Sequence, residues 1–214
     1  MKKSVLKNIT FFAILFFLFA ACTQDLEPSV SVKDEFECQI RNGGIMITGY
    51  NGIGGDVIIP DEFDHIPVTA IGNFAFYNKQ LTSIVIPDTV TSLGNYTFWR
   101  NLLTTVKIPD GVTVIGDWVF AENLLTSTRA KPLVIPNGVT SIGVCAFAGP
   151  SYNGLSQIYY NPLVGIKIGE NVSLASTAFG DGYFENTYNN ATFNKAAGTY
   201  YRTNINLNRW YKEP

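Results

Sequence analysis

The sequence predicts an α/β solenoid, a stack of coils made mainly of short β-strands joined by irregular or short helical return segments. Three observations lead to it. The chain lies over itself at a period of 22 residues, with Leu81–Phe98 above Leu103–Phe120. An Ile-Pro step recurs at Pro60, Pro87, Pro109 and Pro136, an Ile/Leu-Gly step at Gly72, Gly94, Gly116 and Gly143, and a phenylalanine at Phe76, Phe98, Phe120, Phe147 and, less regularly, Phe179. The spacing is uneven only where residues are inserted, near 64–68, at 128–132 and at 150–161. Loops that vary around a fixed core pattern are the mark of a solenoid.

The amino terminus reads as an export signal over residues 1–21. Lys2, Lys3 and Lys7 precede an apolar run of 13 residues, Ile9–Ala21. That length suits a signal-peptide core and falls short of the roughly 18–20 residues that span a bilayer. Phe19-Ala20-Ala21-Cys22 resembles the lipobox of bacterial lipoproteins, with Phe19 where leucine is usual. The resemblance implies that Cys22 is lipidated and becomes the first residue of a protein tethered to a membrane of the bacterial envelope; the expected location is the outer membrane, with the domain exposed on the surface. Residues 22–35 read as a polar tether broken by Pro28-Ser29.

Composition narrows the function classes. Hydrophobic residues make up 46% of the 214 and charged residues 15%, the balance of an ordered domain rather than a disordered one. Loss of the three leader lysines from a chain with 15 basic and 17 acidic residues leaves a mature charge of −5. Such a surface does not attract phosphate backbones, so no nucleic-acid partner is expected. A single histidine, His65, and no nucleophile–base pair predict a protein that is not an enzyme and carries no cofactor or metal. Cys38 and Cys145 fall several coils apart and are expected as buried thiols rather than a disulfide.

Each repeated column has a physical reason. Pairs such as Ile84-x-Ile86, Val106-x-Ile108, Leu133-x-Ile135 and Ile166-x-Ile168 alternate, so each pair points to one side of a short strand. Proline, lacking an N–H, ends that strand. Asp61, Asp88, Asp110 and Glu170 recur just after the step as turn formers. The glycine of the Ile/Leu-Gly step is expected to permit a tight backbone, and the phenylalanine to fill the space between two walls. One coil buries too few side chains to offset the ordering of its backbone, so only stacking stabilises it.

The composite pattern Ile-Pro-x-x-Val-Thr-x-Ile-Gly-x-x-x-Phe, followed by Leu-x-x-Ile-x-Ile-Pro, resembles the BspA-like leucine-rich repeat family of bacterial surface proteins. The resemblance covers about five repeats over residues 57–180 and implies a leucine-rich-repeat solenoid. Ile45–Pro60 is similar to that family's first-repeat hairpin, giving an amino-terminal cap over 36–60. Gly169 replaces the proline in the last repeat and Ala175-Ser176 the Ile-Gly step, as befits a terminal unit, and 181–214 is expected as a carboxy-terminal cap. The family implies surface display and binding of proteins or host matrix, and fold transfers better than ligand.

Two stripes compete as the binding site. An aromatic one runs through Phe74, Tyr96 and Trp118 and, three residues further on in each coil, through Tyr77 and Trp99. Stacking of these rings on one another is their bland explanation, and a platform for a protein or a surface glycan their functional one. The opposite strand wall turns Val85, Lys107, Val134 and Lys167 outward with Ile58, a mixed and weakly basic row. The strand wall is expected to be the flatter of the two. The sequence thus predicts a lipid-anchored, adhesin-like binder of host or partner proteins, with a carbohydrate-binding lipoprotein as the alternative.

Overall fold

The computed structural model describes residues 30–31, 35–128, 130–150, 163, 165–170, 172–175, 178–179, 197–201 and 210–214. The signal segment and Cys22 lie outside the described residues. The first described strand, β1 (Val30–Ser31), is antiparallel to β2 (Phe36–Arg41), which pairs in turn with β3 (Gly44–Tyr50). Asn42 and Gly43 join β2 to β3 with φ of 49° and 77°, the left-handed pair that a two-residue hairpin needs. Part of the segment expected as tether is therefore built into the sheet.

The first coil follows with β4 (Gly55–Ile58), β5 (Glu62–Phe63) and β6 (Ile66–Ile71). The extra residues near 64–68 form a second small hairpin. Asp64 and His65 turn at φ 49° and 66°, and β5 pairs antiparallel with the start of β6. Later coils supply β7 (Leu81–Val85), β8 (Ser92–Leu93), β9 (Val114–Ile115), β10 (Leu133–Val134), β11 (Ser141–Ile142), β12 (Gly165–Ile168) and β13 (Ser173–Leu174). The chain ends with β14 (Gly198–Tyr201) and β15 (Tyr211–Lys212).

The return segments differ from expectation. No helix occurs among the described residues, and a strand runs up to the glycine of the Ile/Leu-Gly step. This side carries the longer ladder, a sheet of nine described strands ordered β1-β2-β3-β6-β8-β9-β11-β13 with β5 on β6. Ile47, Ile71, Leu93, Ile115, Ile142 and Leu174 stand in register through it. The Ile-x-Ile wall, expected as the flat one, is interrupted. β4 pairs with β7, and β10 with β12, but Leu103–Pro109 between them forms no strand. Two β-branched or leucine residues per coil suffice for a strand when neighbours on both edges complete the ladder.

A third side closes each coil. Phe76, Phe98, Phe120 and Phe147 donate their backbone N–H to Thr97, Val119, Ala146 and Ala178 of the next coil, at 2.8–2.9 Å. Their rings fill the centre. Tyr50, Phe76, Phe98, Phe120, Phe147 and Phe179 form one stack with centroids 5.2–5.4 Å apart. That is close to the roughly 4.8 Å between neighbouring strands. At the carboxy-terminal end β14 pairs antiparallel with β12, and β15 with β14, covering that edge of the Ile-x-Ile wall.

The glycine column has a reason other than the one expected. Gly72, Gly94, Gly116 and Gly143 do not adopt positive φ. They leave room for the coil before. Asn73 Oδ1 accepts from the N–H of Asn95, Asn95 Oδ1 from that of Asp117, and Asp117 Oδ1 from that of Val144, at 2.8–3.0 Å. A Cβ on Gly116 would strike Asn95 Oδ1, and one on Gly94 would come within 2.6 Å of the Asn73 backbone nitrogen. Gly116→Ala is accordingly expected to cost about 1–3 kcal/mol by overpacking. Urea titration that finds it neutral would remove this explanation.

Candidate binding surfaces

The aromatic stripe lies on the third side, at a strained backbone position. Phe74, Tyr96, Trp118 and Cys145 occupy the same place in successive coils at φ 59°, 59°, 58° and 52°. Bulky residues seldom adopt this left-handed conformation. The turn demands it: the N–H groups of Phe74, Tyr96 and Trp118 reach the carbonyls of Asn95, Asp117 and Val144 in the next coil. The first three side chains then stack. Phe74 and Tyr96 lie 4.7 Å apart and 2° from parallel, Tyr96 and Trp118 6.2 Å and 12°. Tyr77 stacks on Trp99 at 4.9 Å, and Trp99 meets Tyr96 and Trp118 at 60–65°.

These contacts use most of the ring faces. Tyr77, Tyr96, Trp99 and Trp118 are half-buried, and Trp99 and Trp118 pack over buried Ala121, Cys145 and Ala148. The Trp99 indole N–H is turned inward, with no acceptor among the described residues. Phe74 differs. It is 49% exposed, with Tyr96 stacked on one face and Tyr77 set at 83° to it at 6.0 Å. Arg100 lies 4.8 Å above Trp99 and pairs with Glu122 at 2.8 Å. Hydrogen bonds to Glu122 and to Tyr77 raise the guanidinium pKa above its ordinary value.

The strand wall presents its row as the sequence predicts. Ile58 and Val85 face each other in register, as do Val134 and Lys167. Ile58, Val85 and Val134 are 72%, 51% and 49% exposed, and Lys107 and Lys167 are exposed too. Lys107 Nζ donates to Asp88 at 2.9 Å, which raises its pKa. Where the wall is interrupted lies a cleft of about 240 Å³. Thr105 and Val106 line one side, Leu125–Thr128 and Lys131–Leu133 the other, with Leu163 from the following coil.

A structural feature that the sequence reading missed holds these surfaces in place. Asn101 and Asn123 are 3% and 2% exposed and cross-link consecutive coils. Asn101 Nδ2 donates to the carbonyls of Phe76 and Phe98, while its Oδ1 accepts from Lys79 and Leu81. Asn123 repeats the device between Phe98, Phe120 and Leu103. Recurrence of Phe-x-x-Asn-x-Leu at 98–103 and 120–125 was the available signal.

The remaining chemistry-bearing residues singled out in the sequence are Cys38, Cys145 and His65. Cys38 and Cys145 are buried, and burial pushes the Cys38 thiol up to about 11. His65 is 96% exposed beside Glu62 at 3.3 Å. No group of three or more His, Cys, Asp or Glu among the described residues is placed to hold a metal.

No protein-family model and no curated protein matches the chain. Solved structures similar to it are leucine-rich repeat proteins. One, from Bacteroides ovatus, is 25% identical at a TM-score of 0.49, covering 67% of this chain and 36% of that one. A leucine-rich cell surface protein from Faecalibacterium prausnitzii is 23% identical at a TM-score of 0.49, covering 72% and 46%. A leucine-rich repeat protein from T. pallidum is 25% identical at a TM-score of 0.41, covering 52% and 63%. The chain spans less than two thirds of the length of each.

Proposed function

We propose that this chain is a lipid-anchored bacterial surface protein of the BspA-like leucine-rich repeat kind. It is not an enzyme, and it binds partner proteins, host matrix proteins among them, through one face of its solenoid. The observation that carries this reading is the outward row Ile58, Val85, Lys107, Val134 and Lys167. It holds three exposed apolar side chains and two lysines in one file. Apolar contact with flanking charge suits a protein surface. Sugars stack on aromatic faces, and here neighbouring rings cover those faces. Only the exposure of Phe74 favours the glycan alternative.

The test is binding of matrix and envelope proteins and of a glycan array to the immobilised chain. Lys107→Glu with Lys167→Glu is expected to weaken a retained protein at least tenfold, and Trp99→Ala to leave its affinity unchanged in folded protein. Retention of glycans alone, lost in Phe74→Ala, would replace this reading with the glycan one. The anchor is tested separately. Cys22→Ala is expected to abolish incorporation of a fatty-acid probe, and continued labelling of that variant would exclude Cys22 as the lipid site.

A further inference from the structure

We infer that the cleft interrupting the strand wall is an anchor pocket. It takes one bulky apolar side chain of a partner protein, with an acidic residue beside it in the partner sequence. The inference rests on the protein-binding reading above and names the place and the chemistry of contact. The insert at 128–132 makes the pocket. Leu125 stands where Leu81 and Leu103 open their coils, but the extra residues lead the chain aside before β10 resumes at Leu133. The detour is pinned, since Thr128 N–H donates to the Lys131 carbonyl and Lys131 N–H to Thr128 Oγ1, both at 3.0 Å.

Its lining selects the occupant. Leu125, Leu133 and Leu163 are 5%, 7% and 1% exposed and give an apolar floor, while Thr105, Thr126, Thr128 and Lys131 form an exposed polar rim. The volume, about 240 Å³, is below the roughly 300–1,000 Å³ of small-molecule sites and fits a single phenylalanine or leucine side chain. Interfaces concentrate their energy where such an anchor fills a pocket.

The charges select its neighbour. Lys131 stands on the rim, and Lys167 lies in register with Val134, the residue after Leu133 of the floor. Neither has an ion-pair partner among the described residues, whereas Lys107 is held by Asp88. Two cations with no ion-pair partner among the described residues, on a chain with more acids than bases, mark where a partner's carboxylate docks.

The test uses the full chain with leucine methyls isotopically labelled, titrated with the acetylated peptide Gly-Ser-Phe-Glu-Ser-Gly. Methyl signals of Leu125, Leu133 and Leu163 are expected to shift. The same peptide with alanine for phenylalanine, or lysine for glutamate, is expected to bind at least tenfold more weakly. Lys131→Glu, at an exposed position, should reverse the charge preference, and Thr126→Trp should block the mouth. Methyls unmoved by any peptide up to about 1 mM, or equal shifts with the alanine peptide, would overturn the pocket. So would an unchanged charge preference in Lys131→Glu. A partner protein retained equally by the native chain and Thr126→Trp overturns the pocket alone, and retention of no protein removes the protein-binding reading itself.

Discussion

Phe120→Ala is expected to lose about 3–5 kcal/mol of stability, measured by urea unfolding of the full chain. The ring is 1% exposed and lies between Phe98 and Phe147 at 5.4 Å on either side, so truncation opens a cavity in the middle of a continuous stack. Neighbouring coils cannot collapse into that space without breaking the hydrogen bonds from Phe120 to Ala146 and from Phe98 to Val119. Asp88→Ala is the control. Asp88 sits exposed in a turn and should change stability by less than about 1 kcal/mol. Comparable losses for the two would mean that the phenylalanine column is not the core.

Asn123→Ala is expected to cost about 2–4 kcal/mol in the same assay, because it strands buried backbone groups rather than exposed ones. Its side chain serves the carbonyls of Phe98, Phe120 and Ala121 and the N–H of Leu103. Asn123→Asp separates this role from packing. An aspartate there keeps the shape, but its charge would face carbonyl oxygens in a buried site, so its folded pKa must rise above the unfolded value. A group of that kind loses stability as pH rises, so the variant should be closest to wild type at acid pH and weakest near neutrality. A flat difference between variant and wild type across that range would contradict the assigned hydrogen bonds.

Much of this architecture was legible because stacking forces equivalent residues into columns. The row Ile58, Val85, Lys107, Val134 and Lys167 faces outward as its alternation predicts, and Lys107 keeps that side although Leu103–Pro109 forms no strand. Alternation does not say which wall carries the longer ladder. A two-residue strand such as Ser92–Leu93 has no period to read, and its partner Ile115 is 22 positions away. The glycine column was visible while its cause was not, because that cause sits in the preceding coil as Asn73, Asn95 or Asp117. Aromatics at left-handed φ in three successive turns run against residue preference, and only the hydrogen bonds between coils impose them. The insert at 128–132 reads in sequence as loop variation. Its consequence, an apolar cleft, depends on where Val106 and Leu163 stand across the stack.

Partner binding through the interrupted strand wall is the central functional claim. Its most direct test is amide hydrogen exchange of the full chain with and without a matrix or envelope protein that it retains. Slowed exchange concentrated at 105–107, 126–134 and 166–168 is the predicted result. Protection confined to 96–100 and 118–122, or absent from both regions while the partner is bound, would contradict it.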